Sequence, residues 1–173
     1  MGLEIERKFL VTGDGWRGRG RSSRLSQGYL CASKERSVRV RLDGRSGTLT
    51  IKGPTRGAVR AEFEYPIPAR DAAALLALCE GSLIDKTRTR VRFGGLLWEI
   101  DEFHGDNQGL IVAEVELSRA RQRVVLPPWV GAEVTGDARY LNASLYRRPY
   151  RAWRARKSAT TRKSRFRRRS RSS

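Results

Sequence analysis

The chain has 173 residues, with 36 Lys and Arg against 18 Asp and Glu, a formal net charge of +18 and 39% apolar residues. The charge is uneven: residues 147–173 hold 13 of the basic residues and no acid, which predicts a mildly basic domain over 1–146 and an Arg-rich, disordered tail over 147–173. No run approaches the ~20 apolar residues of a membrane span, none reads as a secretory signal, two cysteines are too few for a disulfide framework or a zinc site, and the single histidine, His104, makes a Ser-His-Asp hydrolase nearly untenable.

Residues 3–11, LEIERKFLV, alternate charged and apolar side chains and predict a strand with Glu4, Glu6 and Lys8 on one face. The Gly/Ser/Arg-rich run 13–24 reads as a loop, and 27–31 as a short strand containing Tyr29. Residues 37–42 alternate again, with Arg39 and Arg41 on one face. A turn at 44–47 leads to 48–52, where Thr48, Thr50 and Lys52 share a face. Residues 60–66 place Arg60, Glu62 and Glu64 together. The run 70–80 is the clear helix of the first half, ended by Gly81. Lys86, Arg88 and Arg90 alternate along the next strand, and Gly94-Gly95 makes a turn. Glu99 and Asp101 share a face of the strand that follows, as do Glu114 and Glu116 over 111–117. A short helix is expected at 118–123, a rigid turn at 127–129, and a last helix over 137–148 with Leu141 and Leu145 inward. Glu133 and Asp137 are assigned to that helix and its cap.

Alternation of this kind commonly means an antiparallel sheet with one face in water. Here, however, the charged parity is segregated by strand, with cations in series on some and paired glutamates on others. That predicts charges facing one another inside a closed barrel with a polar interior. Unpaired ions in a dry core would cost several kcal/mol each. A water-filled tunnel that takes a polyanion and a divalent metal removes that cost. With so little His and Cys, carboxylates would hold the metal, favouring Mg²⁺ or Mn²⁺ over Zn²⁺, and Arg and Lys would hold phosphate oxygens.

These residues resemble a known family. Glu4-Ile5-Glu6-Arg7-Lys8 is similar to the ExExK signature of the CYTH domain, the triphosphate tunnel metalloenzymes. The likeness continues in order through Gln27-Gly28-Tyr29-Leu30, Arg39-x-Arg41, Thr50-Ile51-Lys52, Arg60-x-Glu62-x-Glu64, Lys86-Thr87-Arg88, Glu99-Ile100-Asp101 and Glu114-Val115-Glu116, ending in the run Glu133 to Tyr140. It spans about residues 3–146 and looks most like the short bacterial inorganic triphosphatases. The resemblance implies a mainly β (α+β) fold, an eight-stranded antiparallel closed β-barrel with a few short helices. It implies metal-dependent hydrolysis of tripolyphosphate to pyrophosphate and phosphate. Carried over position by position, Glu4, Glu6, Glu114 and Glu116 would hold Mg²⁺ or Mn²⁺, with Asp101 as a further ligand. Glu62 and Glu64 would serve a second metal or brace the basic side chains. Lys8, Arg39, Arg41, Lys52, Arg60, Lys86 and Arg88 would bind phosphate oxygens. Tyr29 and Lys52 occupy the places of a tyrosine–lysine pair; Lys52 would lower the phenol pKa so that Tyr29 accepts a proton, the alternative being a metal-bound hydroxide that does this alone.

Within that fold, adenylyl cyclase and thiamine-triphosphatase are alternative activities, and a non-catalytic polyphosphate- or nucleotide-binding module is an alternative of another class. The tail departs from the family pattern: arginines interleaved with Tyr150, Trp153 and Phe166 suit a nucleic-acid or polyphosphate grip. An apolar outer face on the barrel is compatible with a homodimer, and the thiols with a cytoplasmic setting.

Overall fold

The structure, a computed structural model, describes residues 5–33, 35–56, 59–119 and 121–153, with the backbone alone for 55, 56, 59 and 60. Among the described residues nine strands form one antiparallel sheet: β1 (Ile5–Val11), β2 (Arg21–Ala32), β3 (Ser37–Asp43), β4 (Ser46–Arg56), β5 (Val59–Pro68), β6 (Glu80–Phe93), β7 (Leu96–Phe103), β8 (Ile111–Leu117) and β9 (Val130–Glu133). Their order in the sheet is β5-β4-β3-β2-β6-β7-β8-β1-β9. Helix α1 (Ala69–Ala77) follows β5, and α2 (Asn142–Arg147) follows a 3₁₀ turn at Ala138–Tyr140.

The mainly β, antiparallel architecture agrees with the sequence. The sheet is curved strongly enough for one cavity to touch residues of β1 to β6 and of β8. The expected closure differs: among the described residues the sheet keeps two edges, β5 and β9. Pro66 and Pro68 remove two backbone donors from β5, which marks it as an edge strand. The ninth strand arises because Val130–Glu133 pairs with the far half of β1. Glu133 therefore lies on a strand, not on the last helix, and Asp137 caps the 3₁₀ turn by accepting from the Arg139 N–H.

Two further expectations are corrected. Residues 21–24 are strand, not loop, because Arg24 forms a forked pair with Asp85 and the Ser22 hydroxyl meets that of Thr89 (2.8 Å) across β2 and β6. Residues 118–123 form no helix in the part described. Gln122 Oε1 instead accepts from both the Ser118 N–H and its hydroxyl, which satisfies a turn.

Strand parity separates two environments. The outward apolar parity is covered in two places. Phe9, Val91, Trp98, Ile100 and Val115 are buried beneath Trp16 and Trp129, which come from the segments before β2 and before β9. Trp98 meets Trp129 edge-on, with ring centroids 5.6 Å apart. On the other half, Ala72 and Leu76, four residues apart on α1, cover Val40 and its neighbours Leu42, Leu49 and Ile67. Gly47 permits that contact, since a Cβ there would lie 2.7 Å from the Ala72 Cβ. The tight β6–β7 hairpin needs positive φ at both turn residues, which Gly94 (59°) and Gly95 (78°) supply.

The inward parity changes character along the strands. Ile84, Phe103 and Val112 are apolar and buried, and Leu145 of α2 packs on them, so α2 stoppers this end of the cavity. Tyr150 and Trp153, beyond the expected boundary at 146, pack against the same cluster, and the Tyr150 N–H donates to Asn107 Oδ1 (2.9 Å). Residues 154–173, the rest of the predicted tail, lie outside the described residues. Among the described residues no helix is long and apolar enough to cross a membrane.

Candidate active site

The charged inward parity lines a cavity of about 550 Å³. Strands β1, β3, β4 and β6 bring six cations to it, Lys8, Arg39, Arg41, Lys52, Lys86 and Arg88, along with four carboxylates, Glu6, Glu62, Glu64 and Glu114. Leu25 and Gln27 of β2, Ile84 of β6, and Leu141 and Asn142 at the start of α2 complete the wall. These are the sequence-predicted phosphate ligands with one exception, Arg60, whose side chain lies outside the described atoms.

The cations are held in different ways. Lys8 Nζ lies 2.8 Å from Glu114, and Lys52 Nζ lies 2.9 Å from Glu62. Arg39 donates to Thr50 Oγ1, which in turn donates to Glu64 (2.9 Å). Glu62 and Glu64 thus stand as braces of Lys52 and Arg39. Arg41 has no carboxylate partner among the described residues. Its Nε, the Arg39 Nε and the Gln27 Nε2 are buried without a hydrogen-bond acceptor. A buried donor left unpaired costs about 1–3 kcal/mol, and more when charged. Three such donors around one cavity give it the chemistry of an anion site.

Asp101 was expected as a metal ligand. It is 1% exposed beneath Lys86 and Arg88. Arg88 donates to it through Nε and Nη2, both at 2.7 Å, and Lys86 Nζ donates from 2.5 Å. Burial pushes the Lys86 ammonium below its ordinary pKa, with Asp101 opposing. Burial would raise the Asp101 carboxyl, but the bond from Arg88 and the charge of Lys86 hold it below the usual range. Arg88 is held above its ordinary value: burial works against the charge, and Asp101, Glu99 and Glu114 overcome it.

Beside the cavity a second, acidic pocket of about 450 Å³ is lined by Glu6, Glu99, Glu114 and Glu116, together with Arg88. Glu6 faces Glu116 directly across β1 and β8, and Glu99 faces Glu114 across β7 and β8. Like charges in such positions destabilise a sheet unless something neutralises them. Arg88 and Arg90 bond Glu99, and Lys8 and Arg88 reach Glu114. Glu116 has no ion-pair partner among the described residues. Among those residues no three His, Cys, Asp or Glu side chains stand close enough to hold a metal ion, and Glu4 lies outside them. The donor chemistry, carboxylate oxygen alone, fits a hard divalent cation.

Glu99 is the lining residue that sequence reading missed as a site residue. Its parity with Asp101 was visible, but not which of the two faces the acids on β8. Tyr29 is buried and packs against Tyr146 in a tilted ring contact, with centroids 4.9 Å apart, and it shares a side pocket with Arg39 and Lys52.

Comparison with known proteins agrees with this geometry. The family model of the CYTH domain matches residues 2–150. An inorganic triphosphatase of Acetivibrio thermocellus is 46% identical over 87% of this chain and 97% of its own length. An inorganic triphosphatase of Nitrosomonas europaea is 37% identical over 82% of this chain and 95% of its own. The crystal structure of an inorganic triphosphatase, 35% identical, superposes with a TM-score of 0.71 over 84% of this chain and 95% of that one.

Proposed function

The chain belongs to the CYTH family, and from that premise we propose that it is a metal-dependent triphosphatase that hydrolyses inorganic tripolyphosphate to pyrophosphate and phosphate. The observation that carries this reading is the set of buried, unpartnered donors, Arg39 Nε, Arg41 Nε and Gln27 Nε2, around a cavity lined by six cations. The names of the two relatives favour the inorganic substrate.

In this reaction the oxygen of water bonds to a terminal phosphorus as the bond from that phosphorus to its bridging oxygen breaks. The bridging oxygen leaves with the electron pair as pyrophosphate. Such a transfer asks a protein mainly for position and charge. Arg39, Arg41 and Lys52 fix one flank of the chain of phosphates, and Lys8, Lys86 and Arg88 the other. Arg guanidinium forks suit paired phosphate oxygens, and Lys supplies a compact charge. Because Asp101 and the glutamates already orient these cations, little reorganisation is needed as charge grows on the leaving oxygen.

Glu6, Glu114 and Glu116 would hold Mg²⁺ or Mn²⁺, joined by Glu4 two positions before Glu6. A divalent ion there would supply Lewis-acid charge and lower the pKa of water. Tyr29, which shares a side pocket with Lys52, would give up its phenol proton to solvent under that positive charge and, as phenolate, take the proton of the attacking water.

The test is kcat/KM for tripolyphosphate in the wild type and in Arg41→Ala. Losing hydrogen bonds to a charged ligand is worth about 1.5–3 kcal/mol, so a ten- to hundredfold fall is expected. A value within twofold of wild type would contradict the assignment.

A further inference from the structure

A second pocket adjoins the cavity beside α2. A vestibule of about 320 Å³ shares Arg39, Lys52 and Leu141 with it and adds Tyr29, Ser37 and Arg147 to its wall. Its charge differs from that of the cavity. Four carboxylates line the cavity, whereas none lines the vestibule among the described residues. It is therefore a place for an anion and has no ligands for a metal.

Arg147, at the end of α2, is exposed, and its Nη2 donates to the Ala32 carbonyl (2.9 Å). A guanidinium carries five donors, so this bond leaves most of the fork for another acceptor. No carboxylate pairs with it among the described residues. On its other side Arg147 lines a further pocket with Arg139 and Arg148. Cations thus run outward from Arg39 and Lys52 through Arg147. Among the described residues Tyr29 is the one aromatic residue of the vestibule wall, and its ring already packs, tilted, against Tyr146. That leaves little to hold a nucleobase and favours phosphate as the extension.

We propose that the vestibule is a subsite for a fourth phosphate, with Arg147 as its ligand, so that the enzyme prefers linear phosphates longer than three units. The inference deepens the triphosphatase reading and rests on it. The test measures binding of linear tetraphosphate and of tripolyphosphate by calorimetry in EDTA, for wild type, Arg147→Gln and Arg147→Lys, with phosphate release in Mg²⁺ alongside. The wild type should bind tetraphosphate about tenfold more tightly than tripolyphosphate. Arg147→Gln should lower that ratio about tenfold. Arg147→Lys, which keeps the charge but loses the fork, should fall between. An equal ratio in all three proteins would overturn the subsite, as would a wild type that binds tripolyphosphate more tightly. Release from neither compound with the ratio behaving as expected would sink the triphosphatase reading and leave the subsite standing. Release from tripolyphosphate with an unchanged ratio would do the reverse.

Discussion

Asp101 is the carboxylate on which two cations of the cavity depend. Both it and Lys86 are almost wholly buried. Removing one partner of a buried ion pair leaves the other charge uncompensated, at a cost of about 3–5 kcal/mol. Asp101→Asn should therefore lower the free energy of urea unfolding by about that amount, and a loss under ~1 kcal/mol would show that Lys86 and Arg88 do not need it. Tyr29 supplies a separate residue-scale test. A positioned general acid or base contributes about 10²–10⁴-fold. Tyr29→Phe should lower kcat for tripolyphosphate by roughly a hundredfold with little change in KM, and a retained full rate would remove the hydroxyl from the mechanism.

At the scale of elements, the site depends on how the sheet is finished at its β9 edge and at its stoppered end. Strand β9 has four residues, and its Glu133 forms a forked pair with Arg7 of β1 at 2.9 and 2.6 Å. Bonds from Arg7 and then from the Thr135 hydroxyl pull the Glu133 carboxyl from an ordinary 4.5 down to about 2. A carboxyl depressed on folding stabilises the protein above its unfolded pKa and ceases to do so as pH falls through the folded value. Since Glu133 is 40% exposed, the pair is worth at most about 1 kcal/mol. Glu133→Gln should accordingly melt slightly lower than wild type at pH 7, with the gap closing between about pH 4.5 and pH 2. A gap that stays constant across that range would show that the Arg7 contact is not what stabilises β9. At the other end Leu145 seats α2 on Ile84, Phe103 and Val112, and this is what brings Leu141 and Asn142 to the cavity.

At the scale of the whole molecule, much of the site was legible because a strand has a period of two. Once Lys8, Arg39, Arg41, Lys52, Lys86 and Arg88 fall on the same parity, a curved sheet gathers them. Parity does not give partners. It could not show that Asp101 lies under Arg88 while Glu99 joins the acids, because both share one face of β7. Nor could it show β9, whose short segment carries no clear alternation and pairs only through contacts with β1. The expected helix at 118–123 failed because Ser118 donates to the Gln122 side-chain oxygen, a local bond that competes with helix formation.

A net charge of +18 favours capture of anions in general, so capture alone does not identify the reaction. The decisive measurement is phosphate release by the intact chain from tripolyphosphate, pyrophosphate and ATP, each with Mg²⁺, Mn²⁺ or EDTA. The account predicts release from tripolyphosphate well above the other two, with either metal, abolished by EDTA and strongly reduced in Glu116→Gln. Release that persists in EDTA, or a clear preference for ATP, would contradict it.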